Sequence, residues 1–363
     1  TYWCSNLPYF PALLYFTAGN ALFFSGAGAR LSGSPVFYVT FSLIAFAFAT
    51  ALNVFGLNIG KWLVNVGAAS RLAVTLLLVA LGAVAWWKFG PATPINAATM
   101  APSAHLKDLV FWSIIAFAFT GPESIPFMGG EIKNAHRTIP MGLVIAAPAI
   151  AAIYIVGTLS VLAVLAPSRV SGIYGVMQAI DRAAASIGWP ALVPVAAVLV
   201  VVSCLGSVGA WLGSVARLPL VAGIDRYLPR VFGQLHPRWG SPVAALLTQA
   251  VLSALFIIAG QSGSTVRVAY DVLVSATVLI TMIPFVLLFA SAIKLRPTWH
   301  IVIAALVGLF TTVGAMVLAI VPTADTADQM LEVVKVLGLT VETLGGGAIV
   351  YSLAARRQEK RAI

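Results

Sequence analysis

Ten long apolar stretches dominate this sequence of 363 residues. A helix needs about 20 mainly apolar residues to cross the hydrocarbon core of a bilayer, so apolar runs of 18 or more predict membrane spans. Only 9% of the residues are charged, which excludes an ordinary soluble domain. The connecting segments are too short for a second domain, so we predict an all-α integral membrane protein with a single transmembrane domain over residues 1–363. The predicted spans are 4–26, 36–56, 62–88, 109–129, 141–166, 192–218, 242–260, 270–293, 299–321 and 332–355.

The fourth stretch is interrupted in its middle by Gly121-Pro122-Glu123-Ser124. Pro122 has no N–H, so the carbonyl of Ala118 loses its helical partner, and Gly121 lets the backbone turn. An unpaired carbonyl in hydrocarbon costs several kcal/mol, so such a break survives where it lines a cavity or is packed in protein. Broken helices with polar groups near the bilayer midplane mark binding sites in secondary transporters. The alternative is a proline kink with a neutral, hydrogen-bonded Glu123.

A second unusual charge is Arg71, ten residues after Lys61 in the third span. At 1.5 Å per residue it lies about 15 Å into the bilayer, near the middle. An arginine at this depth is costly and indicates a functional residue. It could also be a structural cation that ties the carbonyls of the broken helix together, and the two roles overlap.

Polar and aromatic residues in two other spans are further candidates for the wall of a cavity. Asn6 and Tyr9 in the first span could face a cavity or could join helices by hydrogen bonds. A single helical face of the sixth span carries Ser203, Ser207, Trp211 and Ser214. We favour a cavity wall for Trp211, whereas a close helix contact explains the serines and the neighbouring glycines.

The net charge of +10 does not indicate a nucleic-acid partner, because the basic residues concentrate in alternate loops. Such a bias marks the cytoplasmic side of a membrane protein, here with the C-terminus inside the cell. We therefore expect a multi-pass protein of the cell membrane, with the lipid bilayer as its partner. The basic side carries Lys61, Lys133, Arg137, Arg226, Arg230, Arg238, Lys294, Arg296, Arg356, Arg357, Lys360 and Arg361; the opposite side carries Arg30, Lys88, Lys107, Arg169, Arg182 and Arg267.

Motifs for ATP binding, metal binding and nucleophilic catalysis are absent from the sequence, so we predict no enzyme activity, no cofactor and no metal site. Cys4 and Cys204 both fall in apolar spans and indicate neither a disulfide nor a metal site. The chain opens without methionine inside an apolar segment, so we expect a fragment of a longer protein. Its oligomeric state stays open.

Four motifs resemble the amino acid–polyamine–organocation superfamily of amino acid permeases. The sixth helix of that family carries F-x-G-x-E, which stands here at Phe119–Glu123, followed by E-x-K-N-x-x-R-x-I-P at 131–140. The eighth helix of arginine/agmatine exchangers reads C-L-G-S-x-G-x-W, which matches Cys204–Trp211. The pattern R-x-x-x-x-x-G-x-D-x-x-L-P follows at Arg217–Pro229.

The resemblance implies the LeuT-like fold of twelve helices, which contains two inverted repeats of five. On that mapping the ten spans of this chain are family helices three to twelve. Helices one and two, with the first broken helix and its glycine-rich substrate loop, would be absent from the chain.

The resemblance also implies a role for each residue of the site. The family's unwound segment maps to Phe119, Thr120, Gly121 and Pro122, whose backbone would meet the amino end of a substrate. Gating aromatics map to Phe117 and Trp211, and the carboxylate linked to proton or pH response maps to Glu123. Arg71 takes the place of a lysine that replaces a sodium ion in proton-coupled members. Because arginine does not deprotonate in proteins, Arg71 argues against both sodium coupling and a proton shuttle at that position. The candidate substrate-binding set further includes Ala118, Ser207 and Asn6.

The function implied is secondary transport of amino acids or related amines by alternating access, through proton-coupled symport or exchange. A sodium-coupled carrier and a non-transporting membrane sensor or subunit of the same fold are the alternatives. The identity of the small-molecule substrate is not contained in this sequence.

Overall fold

A computed structural model describes residues 2–24, 28–101, 105–261, 265–295, 298–322 and 329–362, and the regular structure in these ranges is helical. The α-helices are α1 (Asn6–Ala21), α2 (Gly28–Leu31), α3 (Pro35–Val54), α4 (Leu57–Phe89), α5 (Ala97–Met100), α6 (Leu106–Leu109), α7 (Phe111–Ala118), α8 (Ala135–Val164), α9 (Gly175–Ile187), α10 (Leu192–Val215), α11 (Arg217–Ile224), α12 (Val243–Gln261), α13 (Val266–Leu295), α14 (Trp299–Ala319) and α15 (Gln329–Ala362). Short 3₁₀ helices cover Leu22–Phe24, Pro122–Glu131, Pro167–Arg169 and Arg230–Gly233.

Eight helical stretches in the described ranges are long and apolar enough to cross a membrane, which makes this a multi-pass membrane protein. They are Pro35–Val54, Gly60–Phe89, Ala135–Val164, Leu192–Ile224, Val243–Gln261, Val266–Leu295, Trp299–Ala319 and Gln329–Arg356. Each corresponds to one of the ten predicted spans. The other two predicted spans are α1, which has 16 residues, and the interrupted segment that begins with α7. A total of ten crossings and the LeuT-like arrangement stay predictions.

Helix α1 lies at the centre of the fold and contacts α3, α10, α12 and α13. The sequence predicts an irregular first span because of Pro8 and Pro11, but α1 is continuous through both prolines. Pro8 stands in the first turn, where its missing N–H has no helical partner to lose. Pro11 is inside the helix and fully packed, so the surrounding helices hold the turn in place.

Helices α4 and α10 touch backbone to backbone where Gly67 meets Gly206. A methyl group placed on Gly67 would lie 2.5 Å from the Cα of Gly206, closer than side chains approach in folded proteins. Small residues allow this kind of approach between membrane helices. The crossing lies one helical turn from Arg71 and therefore fixes which part of α10 that residue can reach.

The sequence pattern over Ser171–Ile187 predicts a short amphipathic helix, and the helix is confirmed as α9, Gly175–Ile187. Its apolar face buries Met177 and Ile180 completely against α4, α8 and α10. The amide of Asn20, at the end of α1, donates a hydrogen bond to the Ile173 carbonyl, 3.0 Å away. The amphipathic segment is thus tied to the central helix just before α9 begins.

The glycine crossing leads to a prediction about stability. Gly67→Ala adds a methyl group against the Gly206 backbone, and overpacking of this kind costs about 1–3 kcal/mol. We expect a matching loss in the free energy of unfolding, measured by denaturant titration in detergent. Gly157→Ala, in α8 with open space around it, is the control and should be neutral or stabilising, since alanine favours helix. Equal effects of the two substitutions would contradict the close approach.

Candidate functional site

The predicted interruption is present: α7 ends at Ala118, and a 3₁₀ helix begins at Pro122. Gly121 adopts φ +123°, a conformation that side chains other than glycine's rarely allow. The Ala118 carbonyl, which Pro122 deprives of its helical donor, accepts a hydrogen bond of 2.7 Å from the Tyr154 hydroxyl of α8. The Phe117 carbonyl accepts from the Thr120 hydroxyl, also at 2.7 Å. The break is therefore held by side chains and not by lipid-exposed backbone.

Glu123 turns into the protein. One of its carboxylate oxygens accepts a hydrogen bond of 2.5 Å from the Gly121 backbone N–H, and the other accepts one of 2.8 Å from the Tyr2 hydroxyl. The first bond closes the turn of the broken segment, and the second joins that segment to the residues that precede α1. A carboxylate that faced the acyl chains would have neither contact.

A small cavity of about 20 Å³ lies where the break meets α1, α10 and α13. That is enough for one or two waters. Its lining residues are Tyr2, Ser5, Asn6, Tyr9, Phe117, Thr120, Glu123, Trp211, Thr277 and Thr281. Glu123 is the acidic member of this set, so the cavity combines one carboxylate with hydroxyls, an amide and aromatic rings.

Three aromatic rings form one side of the cavity. Tyr9 packs edge-to-face on Trp211 at a centroid distance of 5.7 Å and on Phe117 at 6.2 Å. This arrangement is typical of favourable aromatic pairs. The rings come from α1, α7 and α10, so movement of any one of these helices changes the shape of the cavity.

Arg71 lies near the middle of α4 and binds α10. Its Nε donates to the Ser203 hydroxyl at 3.2 Å, and its Nη2 donates to the Ser207 hydroxyl at 2.5 Å. In the parts of the chain that are described, its hydrogen bonds do not go to the carbonyls of the broken helix. The suggested role of tying those carbonyls together is therefore not what this conformation shows. Ser207 takes part as the partner of Arg71, one turn along α10 from Trp211.

The other predicted site residues divide between the cavity and its supports. Asn6 lines the cavity, and its amide also donates to the Tyr2 carbonyl at 3.0 Å. Ala118, Gly121 and Pro122 form the break without lining the cavity. Phe119 points elsewhere: its ring is 48% exposed and packs against Tyr154 at 5.4 Å. The role predicted for Phe119 is one of its backbone in the unwound segment, and that role stays a prediction.

Sequence reasoning missed several residues of the site. Thr277 and Thr281 stand four residues apart on α13, a helical spacing that could have been taken as one polar face. Tyr154 is the single tyrosine of α8, and that is its signal in the sequence. Tyr2 and Ser5 precede the first helix, where no periodic pattern marks them.

A larger cavity, with a volume of about 920 Å³, lies beside the first residues of α1. Its walls come from α12, α15 and the segment around α11, and its polar members include Arg226, Arg230 and Glu342. None of the predicted site residues lines it.

An ion pair of Arg267 with Asp271, as their spacing of four residues predicts, is present at 3.9 Å in the first turns of α13, with Arg267 exposed. Within the described ranges, no group of three or more His, Cys, Asp or Glu residues could hold a metal ion.

A multi-pass helical protein with one span broken at a polar pocket has the architecture found in secondary transporters. The sequence model of the amino acid permease family matches residues 1–349, and the chain belongs to this family.

Individual relatives agree with that assignment. The chain is 27% identical over 340 residues to an uncharacterized transporter of Legionella pneumophila, which covers 88% of this chain and 72% of the relative. It is 31% identical over 227 residues to an uncharacterized transporter of Mycobacterium tuberculosis, covering 62% and 50%. It is 28% identical over 244 residues to the cadaverine/lysine antiporter of Escherichia coli, covering 65% and 53%. The match therefore spans about half the length of the latter two proteins.

The hydrogen bond that the Ala118 carbonyl accepts from Tyr154 gives a second prediction. Tyr154→Phe leaves that carbonyl without its donor at membrane depth, and an unmade bond of this kind costs about 1–3 kcal/mol. We expect a lower free energy of unfolding in detergent. Tyr351→Phe is the control, because the hydroxyl of this exposed tyrosine has no hydrogen bond to any described residue. An unchanged Tyr154→Phe protein would show that the hydroxyl does not support the break.

Proposed function

We propose that this chain is the membrane domain of a secondary active transporter for amino acids or related amines. The observation that carries the proposal is the broken helix at Gly121, where the inward-facing carboxylate of Glu123 meets a pocket formed by three further helices. Transport would proceed by alternating access, through proton-coupled symport or exchange. The names of relatives such as the cadaverine/lysine antiporter support exchange.

The chemistry of the pocket favours a solute with an ammonium group. Glu123 and the hydroxyls of Thr120 and Thr277 supply oxygen acceptors, and an ammonium group offers three donors. The aromatic side of the pocket, with Tyr9, Phe117 and Trp211, can stack on a cation or an aliphatic chain. These features fit amino acids and amines as a class and leave the particular substrate to experiment.

The pocket must widen to hold such a solute. Its room for one or two waters is far below the volume of several hundred Å³ that is usual for ligand pockets. The Tyr2–Glu123 hydrogen bond joins two of its walls, so we propose that breaking this bond is part of the opening movement.

Arg71 supports coupling without sodium. Its guanidinium is a permanent cation in the middle of α4, held by two serine hydroxyls of α10. A fixed positive charge disfavours a sodium ion nearby and cannot act as a proton shuttle. We propose that it stabilises the α4–α10 contact behind the pocket, while Glu123 provides the proton-responsive group.

The cell membrane, a cytoplasmic C-terminus and the LeuT-like arrangement belong to the same proposal. Their support is the concentration of basic residues in alternate loops and the correspondence of eight helices to eight predicted spans. On this arrangement the chain supplies family helices three to twelve as one domain, and two helices would precede Thr1. Transport is accordingly tested on the full-length protein.

A third prediction tests Glu123 in proteoliposomes. Glu123→Gln keeps the shape of the side chain and removes its charge, so it should reduce uptake of lysine or cadaverine by about tenfold or more, the cost of one lost charged hydrogen bond. Uptake measured across a pH series should also lose its pH dependence. Glu342→Gln, a carboxylate outside the pocket, is the matched control. Unchanged uptake with an unchanged pH profile for Glu123→Gln would reject the assigned role, and substrate binding without any flux would indicate a sensor.

A fourth prediction concerns Arg71. Arg71→Met removes the cation and both serine contacts, so uptake should fall, and Arg71→Lys should restore part of it because the charge returns without the planar fork. Lys88→Met, at the far end of the same helix, should have no effect. Each variant should transport at the same rate in sodium buffer as it does in choline buffer. Uptake by the unmodified protein that requires a sodium gradient would select the sodium-coupled carrier instead.

A further inference from the structure

A second polar region lies inside the protein, between α3 and α12, on a side of α1 away from the pocket. Two contacts fix how these helices are paired. At one end the Ser241 hydroxyl donates to the Val54 carbonyl at 2.6 Å. At the other end Tyr15 of α1 links the two helices, because its hydroxyl donates to the Ile257 carbonyl at 3.1 Å and its ring packs on Tyr38 at 5.7 Å.

The spacing between these contacts shows that the helices are antiparallel and in register. From Tyr38 to Val54 and from Ser241 to Ile257 the chain advances by the same number of residues, about 24 Å of helix in each case. This register places Ser42 opposite Ser253, and Gln249 lies one turn before Ser253 in α12. The Gln249 amide nitrogen donates a hydrogen bond of 3.2 Å to the Ser253 hydroxyl on the same helix.

The polar side chains in this seam are sealed from solvent. Tyr38, Ser42 and Ser253 are fully buried, and Gln249 is 2% exposed. Helix α1 covers them: a methyl group placed on Gly19 would lie 3.2 Å from the Tyr38 hydroxyl. Phe46 and Ile257 close the seam with apolar surface.

Three atoms of the seam have no hydrogen-bond partner among the residues that the structure describes. They are the Tyr38 hydroxyl, the Ser42 hydroxyl and the Gln249 side-chain carbonyl. Other buried hydroxyls of the long helices, such as those of Thr17 and Thr277, donate to the carbonyl four residues earlier, which Ser42 does not do. Exchanging the oxygen and nitrogen of the Gln249 amide would leave the nitrogen without a partner instead of the oxygen. In both orientations one end of the amide has no hydrogen-bond partner among the described residues.

We propose that the seam between α3 and α12 is a binding site for buried water. A polar group left unpaired in the interior is unfavourable, and in this register the Ser42 hydroxyl and the Gln249 carbonyl are close enough to share one ligand. The hydroxyl can donate and the carbonyl can accept, so a water molecule can bond to both. The seam contains no carboxylate, which disfavours a cation. The bound water joins α3 and α12 and lies outside the pocket, since α1 presents Asn6 and Tyr9 to the pocket on another side.

The first test is a cryo-electron microscopy map of the full-length protein at a resolution that shows water. We expect a water peak within hydrogen-bond distance of both the Ser42 hydroxyl and the Gln249 side chain. A direct hydrogen bond between those two side chains, with no peak between them, would overturn the proposal.

The second test is hydroxyl-radical labelling by X-ray radiolysis, which modifies side chains beside bound water even when they are buried. Tyr38 and Phe46 should be labelled, while Phe10, which is equally buried in the same core, serves as the unlabelled control. The double variant Ser42→Ala/Gln249→Leu removes the polar partners and should lose the label at Tyr38 while substrate binding stays unchanged. Label retained in that variant would contradict a site built by these residues.

A cation is distinguished by thermal unfolding in sodium, potassium and choline chloride at one ionic strength. If water is the ligand, we expect the same melting temperature in all three salts. A shift that is specific to one cation, and absent in the double variant, would assign the seam to that ion and overturn water as the ligand.

Discussion

Backbone carbonyls inside a bilayer need a hydrogen-bond donor, and this requirement shapes the centre of the molecule. Pro122 takes the donor away from the Ala118 carbonyl, and Tyr154 replaces it from α8. Gly121 allows the turn, and its N–H is bound by Glu123. An interruption that would be prohibitive in lipid is thus stable inside the protein. The same contacts bring a carboxylate and three aromatic rings to one pocket.

The rigid frame around the break comes from close packing of helices. The contact of Gly67 with Gly206 lets α4 and α10 approach to backbone distance, and Arg71 then reaches the hydroxyls of Ser203 and Ser207. On the other side, α1 is packed between α3, α12 and α13. We infer that the break is the adjustable element, since its hydrogen bonds are few and come from separate helices, whereas these interfaces are continuous.

Features set by local chemistry could be predicted from the sequence, and features set by long-range contacts could not. Proline and glycine at 121–122 predict the interruption, which is present between Ala118 and Pro122. The donors for Ala118 and Glu123 come from Tyr154 and Tyr2, which are 36 and 121 residues away, and sequence spacing contains no information about such pairs.

Arg71 and Glu123 do not form an ion pair with each other within the described chain. Within the described chain, Arg71 is bound by neutral hydroxyls, and Glu123 is bound by a tyrosine and a backbone N–H. An internal ion pair would offset the desolvation of both groups, but it would also leave no charge for a solute to meet. Glu123 instead lines the pocket with the neutral Tyr2 side chain as its hydrogen-bond partner. In the proposed function, a solute with an ammonium group takes the place of the Tyr2 hydroxyl and gains a stronger, charge-assisted bond. Recognition of the solute and opening of the pocket would then be the same event.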